Sequence, residues 1–95
     1  MNKTELVKAV AEESGLAQRV VAQVLDALFD ERAGAIPRAL GRGEAVAIRG
    51  FGTFEARERG PRLARNPGTG APVQLPAERR PAWRPAPGLK RRIND

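Results

Sequence analysis

The residues with the clearest chemical potential are arginines that recur in the last two-fifths of the chain. Arg57, Arg59, Arg62 and Arg65 lead up to the dipeptide Asn66-Pro67. Guanidinium groups pair well with phosphates, and a rigid proline at the tip of a ribbon can wedge between base pairs and kink a duplex. This pattern indicates contact with nucleic acid. The alternative is that the proline only forms a turn and that the arginines only keep a loop hydrated.

An element of the fold must position these arginines. Residues 57–76 contain only three sizeable apolar side chains, Leu63, Val73 and Leu75, so the segment cannot build a core of its own. It is either a disordered linker or a hairpin that projects into solvent. Residues 66–70, with the sequence Asn-Pro-Gly-Thr-Gly, are rich in turn formers and lie near the midpoint. A projecting hairpin places the dipeptide at its tip.

Composition excludes several kinds of chemistry. The 95-residue chain has no Cys and no His. Disulfides, thiolate nucleophiles, the common zinc sites and Ser-His triads are therefore excluded, although a site made only of carboxylates is not. No nucleophile, base and metal set is evident, so we expect no enzyme, no cofactor, no bound metal and no small-molecule substrate. A chain of this length is one domain with a thin core, and association with another chain is the leading way to enlarge it.

The charge is distributed unevenly. Residues 1–56 carry 7 basic and 8 acidic side chains, whereas residues 57–95 carry 10 basic and 3 acidic ones, a net charge of +7. This asymmetry predicts a polyanionic partner, with nucleic acid favoured over an anionic membrane. The chain has no apolar run near the length of a membrane-spanning helix and no signal-peptide core, so we expect a cytoplasmic protein.

The N-terminal region is predicted to be helical. Asn2 and Glu5 have the spacing of a capping box for a helix over 2–14, and Gly15 suits its C-terminus. A longer helix starts near Ala17, which lacks a capping side chain, and a kink or break is expected at Pro37. The apolar positions of the second helix recur every three or four residues: Val20, Val21, Val24, Leu25, Leu28 and Phe29.

From Glu44 the apolar period changes to two, which predicts strands. The first contains Val46 and Ile48, a tight Gly-Phe-Gly connection follows at 50–52, and a second strand runs over 53–59. Residues 79–84 are predicted to form a short strand, and residues 89–93 a final helix. The apolar side chains of the helices and strands exceed what one small helical layer can cover, so we expect an obligate dimer.

Two motifs resemble the signature of the bacterial HU and integration host factor proteins. They are Gly-Phe-Gly-Thr-Phe-Glu-Ala-Arg-Glu-Arg at 50–59 and Arg-Asn-Pro-Gly-Thr-Gly at 65–70. Residues 1–6 and 81–85 fit the same pattern, so the resemblance covers essentially the whole chain. It implies an α+β fold, an intertwined homodimer with a helical body, an antiparallel saddle of strands and two arms that embrace and bend double-stranded DNA.

The resemblance assigns a place to each segment and a role to individual residues. The single domain comprises a helical dimerisation body at 1–43, saddle strands at 44–56 and 77–85, a DNA-binding arm at 57–76 and a C-terminal helix at 86–95. Pro67 matches the intercalating proline of the family, and Arg65 and Asn66 match its minor-groove neighbours. The predicted DNA-binding residues are Arg57, Arg59, Arg62, Arg65, Asn66, Pro67, Thr69, Arg79, Arg80, Arg84 and Lys90. The predicted dimer core is Leu25, Phe29, Val46, Ile48, Phe51, Phe54 and Trp83.

The chain departs from the family pattern at several positions. The stretch between Phe29 and Gly43 is about four residues longer than usual and contains Gly34 and Pro37, which interrupt the helical pattern. Four residues are close to one helical turn, so the register beyond the stretch is expected to be preserved, with a kink. Pro61 and Pro72 cannot donate to a strand ladder, which predicts poor pairing of the arm. Leu63 stands where a Lys is common, and the loop at 86–88 differs from the usual Gly-Lys loop, which puts one phosphate contact in question.

These observations favour an architectural protein that bends and compacts DNA through the minor groove with little sequence specificity, and a nucleoid location. Two alternatives stay open: an integration-host-factor-like subunit that prefers particular sites, and an HU-like adaptor with weakened DNA binding. An RNA-recognition motif is rejected, because the Arg-Gly-Phe-Gly at 49–52 is followed by Thr53 where an aromatic residue is required.

Overall fold

Four helices and five strands follow one another along the chain, in a computed structural model that describes residues 1–95. The chain divides into two units, Met1–Arg42 and Gly43–Asp95. The first contains only helices, and the second contains all strands and the last helix, which confirms the α+β class. The elements are α1 (Lys3–Ser14), α2 (Gln18–Phe29), α3 (Ala35–Gly41), β1 (Val46–Ile48), β2 (Gly52–Arg59), β3 (Arg62–Arg65), β4 (Pro72–Leu75), β5 (Glu78–Pro85) and α4 (Pro87–Ile93).

The caps predicted for α1 are present. The Asn2 side chain accepts a hydrogen bond from the backbone N–H of Glu5 at 2.9 Å. At the other end Gly15 adopts a left-handed conformation with φ +75°, and its N–H donates to the carbonyl of Ala11. These contacts satisfy backbone groups that a helix end otherwise leaves unpaired.

The core of the helical unit is small. Val7, Ala11 and Val21 are buried where α1 and α2 pack together. As predicted, α2 starts after Ala17 without a side-chain cap. Lys3 and Asp26 form an exposed ion pair between the same two helices.

The helical region breaks before Pro37, so the predicted position of the break is wrong. The Asp30 carboxylate accepts hydrogen bonds from the backbone N–H groups of Arg32 (3.1 Å) and Ala33 (2.9 Å). A loop over 30–34 therefore replaces the expected continuation of α2. A Cβ at Gly34 would lie 2.6 Å from the Asp30 carbonyl oxygen, so the turn requires glycine there. Pro37 falls in the first turn of α3, where a helix does not need its amide.

The second unit is built around an antiparallel sheet with strand order β1-β2-β5. Gly50, with φ +81°, makes the tight turn from β1 into β2, and the N–H of Phe51 donates to the carbonyl of Ile48. The N–H of Ala86 donates to the carbonyl of Phe51 at 2.9 Å and ties the end of β5 to this turn. Pro87 then opens α4 at its first turn.

Strands β3 and β4, which follow β2 and precede β5 along the chain, form a separate two-stranded hairpin. They pair over four residues, from Arg62 opposite Leu75 to Arg65 opposite Pro72. The predicted poor pairing of the arm is therefore wrong. Pro61 precedes β3 and Pro72 is the first residue of β4, and these are positions where a strand tolerates proline.

Candidate nucleic-acid interface

The register of β2 against β5 sorts their side chains onto two faces. Thr53 lies opposite Arg84, Arg57 opposite Arg80, and Arg59 opposite Glu78 at the end of the paired segment. Because side chains alternate along a strand and paired residues share a face, one face carries only polar, charged and small side chains. We call its four arginines the cationic face: Arg57, Arg59, Arg80 and Arg84.

Two glutamates lie on the same side of the sheet among these arginines. One carboxylate oxygen of Glu55 is 2.9 Å from Nη2 of Arg57 and 3.6 Å from Nε of Arg84. Glu78 accepts a hydrogen bond from Nε of Arg80 at 2.8 Å. That hydrogen bond, with the positive charges of Arg80, Arg62 and Arg59, lowers the pKa of the Glu78 carboxyl. The Glu78 carboxylate therefore stays ionised, and the ion pairs of both glutamates hold several guanidinium groups in place.

The tip of the hairpin is an ordered turn. The Asn66 side chain accepts from the N–H of Gly68 at 2.8 Å, and the backbone of Gly70 donates to the Asn66 carbonyl at 2.7 Å. Nη1 of Arg65 donates to the Gly70 carbonyl, and the Thr69 hydroxyl accepts from the N–H of Ala71. Pro67 is exposed at the first position after Asn66. The turn thus presents a rigid apolar ring beside a guanidinium group.

Not every predicted DNA-binding residue shares the cationic face. Arg79 pairs with Glu58 and lies on the opposite side of the sheet from Arg80. Lys90 lies in the last turn of α4, together with Arg91 and Arg92, which are not among the predicted DNA-binding residues. The basic run over 90–92 was the available signal for them.

Glu55 and Glu78, which lie among the arginines of the cationic face, were not among the predicted site residues either. Each lies two residues before an arginine of its own strand, Glu55 before Arg57 and Glu78 before Arg80. That spacing places both members of each pair on one side of a strand. It was visible in the sequence once the strands were assigned.

The other face of the sheet is apolar except at its end, where Glu58 and Arg79 lie opposite each other. Val46 and Ile48 of β1 share it with Phe54 and Trp83, four residues of the predicted dimer core. The ring of Trp83 lies 5.4 Å from that of Phe51 and 6.4 Å from that of Phe54, measured between centroids.

This aromatic cluster depends on Gly52. A Cβ on that residue would lie 2.4 Å from Nε1 of Trp83, so only glycine lets the indole cross the strand there. The face remains partly uncovered, because Ile48, Phe51 and Trp83 are each between 42% and 46% exposed.

The helical unit also exposes apolar side chains. Phe29 is half exposed, and with Leu6 and Leu25 it lines a cleft between the start of α1 and the end of α2. Val24 and Leu28, one turn apart on α2, are exposed too. In both units, predicted dimer-core residues are therefore partly in contact with water in a single chain.

None of the helices is long and apolar enough to span a membrane.

Comparison with known proteins identifies the class. The family described as "Bacterial DNA-binding protein" matches residues 1–94. The chain is 48% identical over 90 residues to the DNA-binding protein HU of Geobacillus stearothermophilus, covering 95% of this chain and 96% of that protein. It is 43% identical to the DNA-binding protein HU-1 of Halalkalibacterium halodurans over 94 residues, which are 99% of this chain and 100% of the relative.

Solved structures agree. An HU protein from Anabaena, cocrystallised with DNA, superimposes with a TM-score of 0.87 at 38% identity, covering 98% of this chain and 97% of that one. HU from Thermotoga maritima gives a TM-score of 0.65 at 29% identity, with 98% of each chain covered. The chain belongs to the HU family of bacterial DNA-binding proteins, and the resemblance inferred from its sequence is confirmed.

Proposed function

We propose that this chain forms a homodimer that binds, bends and compacts double-stranded DNA with little sequence specificity. The observation that carries the proposal is the division of the sheet into a cationic face and an apolar face. An apolar face with half-exposed aromatic rings fits a second copy of the chain. A row of arginines on the opposite face fits phosphates. The relatives named as DNA-binding HU proteins support this assignment.

The proposal gives the segments distinct tasks. Residues 1–43 form the dimerisation body, 44–56 and 77–85 form the saddle, and 57–76 form the arm that follows the minor groove. In this scheme Arg65 and Asn66 contact the groove, and Pro67 wedges between base pairs. Residues 86–95 add the basic helix with Lys90. The role is binding rather than catalysis, on the chromosome in the cytoplasm.

Low specificity follows from the chemistry of the interface. The cationic face consists of guanidinium groups, which pair with phosphates and carry little base information. The main sequence dependence left to such a protein is the cost of deforming the duplex. We expect a preference for nicked or kinked DNA over straight DNA of the same sequence.

A salt series on linear and nicked duplexes tests the function. If a dimer neutralises about 6 to 10 phosphates, log affinity falls with log salt at a slope of about −5 to −9. Undetectable duplex binding at low salt would refute the proposal and favour an adaptor. Strong preference for one defined sequence would favour an integration-host-factor-like role.

The homodimer has its own test. The melting temperature of a dimer that unfolds to separate chains rises with protein concentration. A monomeric mass in size-exclusion chromatography, together with a melt that does not depend on concentration, would refute it.

A further inference from the structure

Glu78 stands at the junction of the sheet and the hairpin arm, among three arginines. It is the first residue of β5 and pairs with Arg59 at the end of β2. Its Oε1 atom is 2.8 Å from Nε of Arg80 and 3.7 Å from Nη1 of Arg62, the first residue of β3. One carboxylate oxygen thus faces guanidinium groups from two different strands.

The arrangement leaves Arg62 incompletely satisfied. Its Nη1 atom is buried and has no hydrogen-bond partner. The 3.7 Å separation from Glu78 is an ion-pair distance but too long for a hydrogen bond. The Glu78 oxygen already accepts from Arg80, so the carboxylate does not serve both guanidinium groups equally. An anion with acceptors placed for both guanidinium groups would satisfy them better than the carboxylate does.

A DNA phosphodiester has the required chemistry. Like a carboxylate it carries one negative charge and two equivalent acceptor oxygens, and arginine binds both groups through paired N–H donors. The Glu78 side chain is 44% exposed and that of Arg80 is 54% exposed, so the pair can separate without opening the core. A phosphate between Arg62 and Arg80 provides an acceptor for each.

We infer that Glu78 occupies, in the free protein, the position that a DNA phosphate takes between Arg62 and Arg80 in the complex. The inference rests on the proposed function and adds a binding site for one phosphodiester at the base of each arm. It also makes Glu78 an internal competitor of DNA, because binding requires the carboxylate to leave. Glu55 bridges Arg57 and Arg84 in a similar way, but its side chain is only 24% exposed, so we assign the exchange to Glu78.

The test replaces the Glu78 carboxylate with an uncharged group of nearly the same shape. Glu78→Gln removes the carboxylate charge, and Glu58→Gln makes the same charge change on the other face of the neighbouring strand. Affinities for a random-sequence duplex labelled with a fluorophore are measured by anisotropy. Exposed ion pairs are weak, so removing the competitor from two arms should give roughly 2- to 30-fold tighter binding for Glu78→Gln. Glu58→Gln shows the smaller gain that results from net charge alone.

A second background tests whether the gain depends on the arginine. In Arg80→Gln protein the carboxylate has lost its main partner, so adding Glu78→Gln should recover little of the gain. An equal gain from Glu58→Gln, or a gain that persists in full in the Arg80→Gln background, would overturn the inference. Weaker binding by Glu78→Gln would also overturn it and make Glu78 a positioning residue for Arg80.

Controls separate this inference from the proposed function. Thermal unfolding of each variant verifies that it is folded, and Glu78→Ala is a second way to remove the carboxylate. Wild-type protein that fails to bind duplex DNA at low salt refutes the proposed function itself. Wild-type protein that binds, with Glu78→Gln and Glu78→Ala binding no more tightly, refutes only the exchange at Glu78.

Discussion

Arg59 and Arg79 look equivalent in the sequence but lie on opposite faces of the sheet. Arg59 is on the cationic face, where it pairs with Glu78, and Arg79 is on the other face, where it pairs with Glu58. Arg59→Gln and Arg79→Gln each remove one positive charge per chain and change no backbone hydrogen-bonding group. If the cationic face lies against DNA, only Arg59→Gln removes a phosphate contact.

The size of the effect follows from counterion release. Each neutralised phosphate contributes about 0.9 to the slope of log affinity against log salt, so two copies of Arg59→Gln in a dimer make the slope shallower by about 1.8. Between 50 and 200 mM salt, the ratio of wild-type to variant affinity should therefore fall about twelvefold. Arg79→Gln should leave the slope within about 0.5 of the wild-type value.

Anisotropy titrations of both variants at four or five salt concentrations measure these slopes. The losses should be similar for duplexes of unrelated sequence, because phosphate contacts do not read bases. Equal slopes for the two variants would refute the assignment of the DNA-binding face. A larger slope change for Arg79→Gln would place the DNA against the opposite face.

Three further changes test other parts of the structure. Gly52→Ala puts a Cβ 2.4 Å from the Trp83 indole nitrogen, so it should lower the free energy of unfolding by about 1–3 kcal/mol in a denaturant titration. Gly60→Ala, whose Cβ would meet open space, should leave the free energy of unfolding nearly unchanged. Equal stabilities of the two variants would contradict the packing of Trp83 against Gly52. Hydrogen bonds from two backbone N–H groups lower the pKa of the Asp30 carboxyl below 3.8, so its stabilising charge is present at neutral pH and lost as the pH falls through the lowered pKa. The melting-temperature difference between wild type and Asp30→Asn should therefore shrink in acid, and a difference that stays constant as the pH falls would contradict this account. Pro67→Ala should reduce DNA bending in a fluorescence-transfer assay, with a smaller loss of affinity on duplexes that are already kinked, and equal losses on straight and kinked DNA would argue against a wedge.

Features set by neighbours within a few residues were predictable from the sequence. The cap at Asn2, the left-handed Gly15 and the uncapped start after Ala17 are all local, and all three are present. The change of apolar period near Glu44 likewise marked the start of the strands, because alternation is a property of each strand by itself. These signals require no knowledge of which strands pair.

The break in the helical region was misplaced because two local signals compete there. Proline is a strong helix breaker in the interior of a helix but is tolerated in the first turn. The Asp30 carboxylate accepts hydrogen bonds from the backbone N–H groups of Arg32 and Ala33, and the resulting turn ends α2 before Pro37 is reached. Pro37 then falls inside the first turn of α3. The rule for proline was sound, but its consequence depended on where the preceding helix ended.

The resemblance identified the four arginines of the cationic face, but alternation alone could not show that they share one face, because this depends on a register between strands that are distant in sequence. Alternation shows that Arg79 and Arg80 point to opposite sides, but it does not show which of them joins Arg57. The pairing of Arg57 with Arg80 decides which arginine shares its face. The segment at 60–77 connects the two strands that pair in this way. A slip of one residue in this register would move the whole set of β5 side chains to the other face. The face that we propose binds phosphate is thus determined by the register at the base of the arm, and not by the number of arginines in the chain.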